Sequence, residues 1–159
     1  MASTFKRDIR LGVPDSADSR AIADSFRAEH LAEECSYTDT HKDLLVFISK
    51  NPDDNLLEIL GYIDNIPIGY AGFTPCGCGC QNRLRWTYMY IPANLRKYGL
   101  GLRFARAVIN KITELVNPDT IIEVSYQTAN DAMSHIFRYA GFKKTLVTGE
   151  LAVGKILTR

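Results

Sequence analysis

Ile91-Pro92-Ala93-Asn94-Leu95-Arg96-Lys97-Tyr98-Gly99-Leu100-Gly101 is the stretch on which the reading of this chain turns. It joins an aromatic-rich, strand-like run, Arg83 to Ile91, to a run from Gly99 to Val116 with Leu100, Phe104, Val108, Ile112 and Leu115 at helical spacing. Gly99 and Gly101 therefore stand at a helix entrance. The first turn of a helix leaves about four N–H groups unpaired and carries a partial positive charge. Glycine removes Cβ, so a diphosphate can approach the backbone closely, and Arg96 and Lys97 add charge beside the same spot. A tight turn that needs glycine for its dihedrals, flanked by solvated basic residues, is the plainer alternative. The stretch is not a Walker A loop, since the Gly-Lys-Ser/Thr ending is absent, and not a Rossmann fingerprint, since the third glycine is missing.

Working outward, Phe5 to Leu11 alternates as a first strand, and Gly12 with Pro14 ends it. Asp15 or Ser16 caps a helix running to about Leu31, with Ala21, Ile22 and Phe26 facing inward. Leu44, Leu45 and Ile48 give a second helix over Thr40 to Lys50, stopped before Asn51-Pro52. Leu56–Ile63, Ile66–Thr74 and Arg83–Ile91 follow as three closely spaced strands, an antiparallel meander. After the long helix come a β-branched strand, Thr120–Ser125, a short helix, Asn130–Ala140, its C-cap Gly141, and two closing strands, Phe142–Val147 and Leu151–Leu157. The order βααβββαβαββ predicts an α+β fold, an α/β sandwich on one mixed, largely antiparallel sheet flanked by helices. Arg83–Ile91, the long helix and Thr120–Ser125 form one candidate βαβ crossover.

Length and composition bound the function. The 159 residues, 46% hydrophobic and 23% charged, suit one globular domain spanning 1–159 and exclude disorder and coiled coil. Nineteen Lys and Arg against eighteen Asp and Glu leave a net charge of +1, which argues against the field of a duplex-binding domain. No apolar run approaches the roughly 20 residues of a membrane span. Met1 to Leu11 has no apolar core of a signal peptide, so reduced cysteines and a cytoplasmic location are expected.

Arg96-x-x-Gly99-x-Gly101 resembles the Gln/Arg-x-x-Gly-x-Gly/Ala motif of the GNAT superfamily of N-acetyltransferases. A second similarity follows: Asn130 with Gly141-Phe142 eleven and twelve residues later is like the family's Asn-x-x-Ala-(x)7-Gly-Phe helix. The element order is also similar, so the resemblance covers nearly the whole chain. It implies an acetyl-CoA-dependent N-acetyltransferase moving acetyl to a small-molecule or protein primary amine, directly, in a ternary complex. It also implies that the amides around Arg96, Lys97, Tyr98, Gly99, Leu100 and Gly101 hold the pyrophosphate. The Ile91 N–H would meet the acetyl carbonyl, Asn130 the cofactor arm, and the parting of the Ile91 strand from the next would form the pantetheine slot. A homodimer is common in the family. Met133 stands where the family has a small Ala, and Phe137 where it often has the tyrosine that protonates the leaving thiolate. On that resemblance Phe137 would face the sulfur without a hydroxyl, which keeps open a CoA-binding module with little or no turnover.

The general acid and base are unassigned. Glu58 and Glu123 on strands, Ser134 and Tyr139 on the late helix, and His30, His41 and His135 are candidates, each with a solvated or structural alternative. Trp86, Tyr88 and Tyr90 alternate, so all three are expected on one face, as a core stripe or as an acceptor-pocket wall. With Arg83 and Arg85 they also support, against the near-neutral charge, a nucleic-acid-modifying member. Cys76-Gly77-Cys78-Gly79-Cys80, with Cys35, lacks Cys-x-x-Cys spacing, and no metal is expected.

Overall fold

Alternation of apolar side chains along the central strands and an apolar stripe on each flanking helix produce a three-layer arrangement. The computed structural model describes residues 4–34, 55–75, 82–148 and 151–158. The strands are Arg10–Gly12 (β1), Leu57–Ile63 (β2), Ile66–Pro75 (β3), Arg83–Tyr90 (β4), Ile121–Gln127 (β5), Lys143–Thr148 (β6) and Leu151–Leu157 (β7). They form one sheet in the order β1-β2-β3-β4-β5-β7-β6. Only β4 and β5 pair in parallel; the other neighbours are antiparallel. The helices are Ala17–Glu34 (α1), Leu100–Leu115 (α2) and Asp131–Ala140 (α3). The expected α+β class and mixed, largely antiparallel sheet are therefore present. The helix expected over Thr40–Lys50 lies outside the described residues, as do Cys35, His41 and the Cys76–Cys80 segment.

The sheet separates two cores. On one face Leu100, Phe104, Ala105, Val108 and Ile112 of α2 and Phe137 of α3 pack on Ile59, Ile68, Phe73, Trp86, Ile122 and Val124. On the other, Ala23, Ile22 and Phe26 of α1 pack on Leu60, Tyr70, Tyr88 and Tyr90.

Local chemistry sets the helix ends. Ser16 caps α1 reciprocally with Ser19: the Ser19 N–H donates to Ser16 Oγ at 3.1 Å, and the Ser16 N–H donates to Ser19 Oγ at 2.9 Å. Asn130 caps α3 by accepting from the Met133 N–H at 3.1 Å, and Gly141 closes it with a left-handed φ of 108°. Three expectations are corrected. Phe5 lies in a 3-10 turn, Thr4–Lys6, and the first strand is only Arg10–Gly12, because the Arg103 guanidinium donates to the Phe5 and Arg7 carbonyls. Ala23 rather than Ala21 is buried under α1, two positions along and about 200° round the helix. Leu115, in the last turn of α2, is exposed.

Candidate functional site

β4 and β5 pair from Arg83↔Ile121 to Trp86↔Val124 and then part. Beyond that point β4 still follows β3 to Tyr90, and β5 still follows β7 to Gln127. The parting coincides with a bulge: Gly72 pairs with Tyr88 and Phe73 with Trp86, so Thr87 is the extra residue. A one-residue insertion in a strand reverses the side-chain alternation beyond it. Trp86 accordingly packs in the α2–α3 core, against Phe73, Phe137 and Phe142, while Tyr88 and Tyr90 face α1. The expectation that these three rings share one face is thereby corrected. Trp86 Nε1 donates to the Tyr88 carbonyl at 2.7 Å, locking the bulge.

Two cavities open at the parting. One, of about 190 Å³, is lined by His30, Leu31 and Glu34 of α1, residues 85–89 of β4, residues 124–127 of β5, and Met133, Phe137 and Leu151. The other, of about 370 Å³, is lined by Glu33, Ile91, Arg96, Gly99, Gly101, Leu102, Asn130 and the first turns of α3. Met133 contributes to both walls.

The second cavity lies at the start of α2. Pro92 leads into a 3-10 turn, Ala93–Tyr98, and Gly99 breaks it with φ 69°. That left-handed geometry favours glycine, and a Cβ at Gly99 would meet nothing within 4 Å. Among the described residues no side chain caps α2, so its first N–H groups can meet solvent or a ligand. Gly101 serves packing: a Cβ there would lie 2.7 Å from Ile136 Cδ1 of α3. Arg96 is partly committed, its Nε donating to the Ile91 carbonyl at 2.9 Å and a terminal nitrogen pairing with Glu33. Leu100 is fully buried, Tyr98 packs on Phe5, and the Lys97 ammonium sits over the Tyr98 ring, so none of these three side chains lines the cavity.

The first cavity holds two polar groups that the sequence did not single out. Burial, with Glu33 beside it, pushes the Glu34 carboxyl up to about 7, against a hydrogen bond from Asn130. Gln127 is buried, and its Oε1 has no hydrogen-bond partner among the described residues. His30 is buried edge-on to the Tyr88 ring. Burial lowers its pKa to about 4, with help from the Arg96 cation and against a hydrogen bond to the Met89 carbonyl. It is a neutral imidazole, one nitrogen donating to Met89 and the other an acceptor.

The remaining candidates separate cleanly. Glu58 is a counter-ion: it pairs with Arg20 at 2.7 Å and Arg27 at 2.8 Å, and accepts from the Tyr70 hydroxyl at 2.6 Å. Burial raises its pKa, but the Arg20 and Tyr70 hydrogen bonds outweigh that and hold it below the usual carboxylate range. Glu123 sits between Arg83 and Lys155, at 3.8 and 3.9 Å, in the paired part of the sheet. Ser134 lines a separate groove with Arg138, Lys143 and Lys144. Tyr139 is exposed and packs on His135, which lines the second cavity. Phe137 is buried among Trp86, Tyr126 and Phe142 at the inner wall of the first cavity. Among the described residues no group of three His, Cys, Asp or Glu could hold a metal, and no helix is long and apolar enough to cross a membrane.

No protein-family model and no curated protein matches the chain. Solved structures do. The acetyltransferase of GNAT family from Streptococcus pneumoniae is 16% identical, with a TM-score of 0.63 over 96% of this chain and 99% of that one. A Salmonella typhimurium protein, yncA, solved with its cofactor acetyl-CoA, is 15% identical, with a TM-score of 0.67 over 96% of this chain and 95% of that one. The ribosomal-protein-S18-alanine N-acetyltransferase from Escherichia coli is 9% identical, with a TM-score of 0.62 over 95% of this chain and 94% of that one. The chain has the fold of the GNAT acetyltransferases.

Proposed function

We propose that this protein is an N-acetyltransferase that moves acetyl from acetyl-CoA to a primary amine by direct transfer in a ternary complex. The observation that carries the reading is the conjunction of the parting of β4 and β5 with the uncapped start of α2 behind Gly99. An uncapped helix start with open space before it suits a diphosphate, since the N–H groups and the helix dipole both favour an anion. The cleft running inward from it, apolar with few polar groups, suits a long thin arm. Bound there, acetyl-CoA supplies an acyl group activated as a thioester.

The chain's own residues supply the rest. The amides from Arg96 to Gly101 hold the pyrophosphate. Arg96 braces the turn by holding the Ile91 carbonyl, and the Ile91 N–H polarises the acyl oxygen as charge develops on it. Asn130, with its Oδ1 committed to capping α3, contacts the arm through its amide N–H. Phe137 closes the inner wall without a proton to give, so water returns the proton to sulfur. Proximity and a polarised carbonyl are the main sources of rate.

The test is a melting shift followed by thiol release. Acetyl-CoA at one hundred times its Kd is expected to stabilise the fold by about 2.7 kcal/mol. Free CoA thiol then appears only when an amine from a primary-amine panel is added. A protein that binds acetyl-CoA and releases no thiol with any amine is a CoA-binding module. A protein whose melting temperature ignores saturating acetyl-CoA refutes the reading.

A further inference from the structure

On one face of the sheet, Trp86, Ile122, Val124 and Ala152 join the α2–α3 core. Side chains one position along each strand point to the opposite face. There α1 packs on Leu60 and Tyr70 of β2 and β3 and on Tyr88 and Tyr90 of β4. Beyond α1, the register places Arg83, Ile121 and Leu157 in one cross-strand row. Arg85, Glu123, Lys155 and Lys143 form the next row, and Ser125, Val153 and Leu146 the third. None of these residues belongs to either core among the described residues, and Leu157 and Leu146 stand 50% and 57% exposed. Four cations thus surround one carboxylate, in a chain whose net charge is only +1. Arg83 and Lys155 share Glu123, at 3.8 and 3.9 Å, while Arg85 and Lys143 have no ion pair among the described residues. Lys143 lies directly opposite Lys155, a like-charge pair that costs stability unless an anion joins it. Lysine guards exposed edge strands, which accounts for Lys143 on β6. It does not account for Arg83, Arg85 and Lys155, which stand on interior strands.

We propose that this open face, running from β4 to β6 beyond α1, is a docking surface for an acidic polypeptide segment whose carboxylates alternate with aliphatic side chains. The surface is independent of acetyl transfer. Carboxylates of the segment meet Arg85, Lys155 and Lys143 along the middle row. Its aliphatic side chains meet Ile121 and Leu157 on one side of that row, and Val153 and Leu146 on the other. Glu123, in the midst of the cations, repels a continuous polyanion and accepts from a lysine, an arginine or a backbone N–H of the segment. A nucleic acid would bring a phosphate at every step and bases that stack on aromatic rings, whereas these rows carry aliphatic side chains and no aromatic ring. An anionic lipid surface would likewise press its charge on Glu123. With strands about 4.8 Å apart and a rise of about 3.4 Å per residue, the face is roughly 14 Å from β4 to β6 and roughly 23 Å along the seven residues of β7. That is about 300 Å², against about 800 Å² per partner in a stable complex. The surface therefore suits one segment held weakly, in the micromolar range, rather than a permanent subunit.

The test uses the whole protein and a fluorescein-labelled sixteen-residue peptide of repeated Glu-Leu-Glu-Ser, read by fluorescence anisotropy at physiological ionic strength. The peptide is expected to bind with a micromolar Kd and to shift the backbone amides of Glu123, Val153 and Lys155 in 15N spectra. Arg85→Glu and Lys143→Glu are each expected to weaken binding at least fivefold, and Leu146→Ser at least threefold. Lys111→Glu makes the same charge change on α2, across the sheet, and is expected to leave binding unchanged. A peptide with serine in place of each leucine, at equal charge, is expected to bind at least fivefold more weakly. No binding at millimolar peptide, an equal loss in Lys111→Glu, full binding of the serine peptide, or amide shifts confined to other strands overturns the proposal. Oligothymidylate or phosphatidylserine vesicles that bind more tightly than the peptide, and lose binding in Arg85→Glu and Lys143→Glu, overturn it in favour of a nucleic acid or a membrane. If Arg85→Glu fails to fold, Lys143→Glu and the amide shifts decide.

Discussion

His30 makes the structure answerable to a pH measurement. Its folded pKa lies at about 4 against an ordinary 6.5, because burial between α1 and β4 removes the water that would solvate an imidazolium. The unfolded chain therefore binds a proton between those two values that the folded chain refuses. Stability is complete above about pH 6.5 and is lost as the pH falls toward about 4. At about 1.4 kcal/mol per tenfold change in proton affinity, the whole displacement corresponds to about 3 kcal/mol, of which about 2 is already lost at pH 5. His30→Gln keeps an N–H able to donate to the Met89 carbonyl and removes the titration. Urea denaturation of both proteins at pH 7.5, 6 and 5 isolates the effect. Glu34, raised by burial to about 7, has the opposite sign, destabilising as the pH rises from its ordinary 4.5, but it is common to both proteins and drops out of the difference. Wild type is expected to lose about 2 kcal/mol more than His30→Gln between pH 7.5 and 5. Parallel pH dependences would refute the reasoning and mean that water reaches His30 in the folded protein.

Gly99→Val forces a β-branched residue to a φ of 69°, and is expected to abolish the acetyl-CoA melting shift while costing about 1–3 kcal/mol of intrinsic stability; calorimetry with and without acetyl-CoA reads both. Glu58→Gln removes the charge facing Arg20 and Arg27, and is expected to destabilise by about 3 kcal/mol at pH 7 with acetyl-CoA affinity retained. Urea denaturation and isothermal titration separate the two. Phe137→Tyr adds one oxygen at the inner wall of the first cavity and is expected to bind acetyl-CoA as wild type does, transfer acetyl at least as fast, and show a new fall in rate near pH 10 as the phenol ionises. A pH–rate profile in which the variant is much slower at unchanged affinity would show that the apolar ring itself shapes the site.

Elements written into local spacing were legible: the α2 stripe, the Asn130 cap, the Gly141 stop and the closing strands all stand within two residues of their expected bounds. The bulge at Thr87 was not legible, because it depends on which residue of β3 faces which residue of β4, a tertiary choice without a local signature. The two faces of β4 followed from it. The phosphate cradle was legible as Gly99 beside a helix start, although Gly101 turned out to accommodate Ile136. Glu34 and Gln127 were hidden for a different reason. Glu33-Glu34 lies beyond the expected helix end at Leu31, and Gln127 beyond the expected strand end at Ser125; what distinguishes them is burial, which composition does not carry.

The parting of β4 from β5 also creates an interior edge in the sheet. Thr87 to Tyr90 and Ser125 to Gln127 turn toward each other backbone groups that a closed sheet would pair. On the outside of a protein such an edge recruits foreign strands and invites aggregation. Here Met133 and Phe137 of α3 on one side, and His30, Leu31 and Glu34 of α1 on the other, leave a slit. A strand entering between them would have to seat its side chains against both helices. An unbranched chain carrying amides can lie along it and complete the ladder from within. The fold thus keeps its unpaired edge inside, covered on both faces by helices.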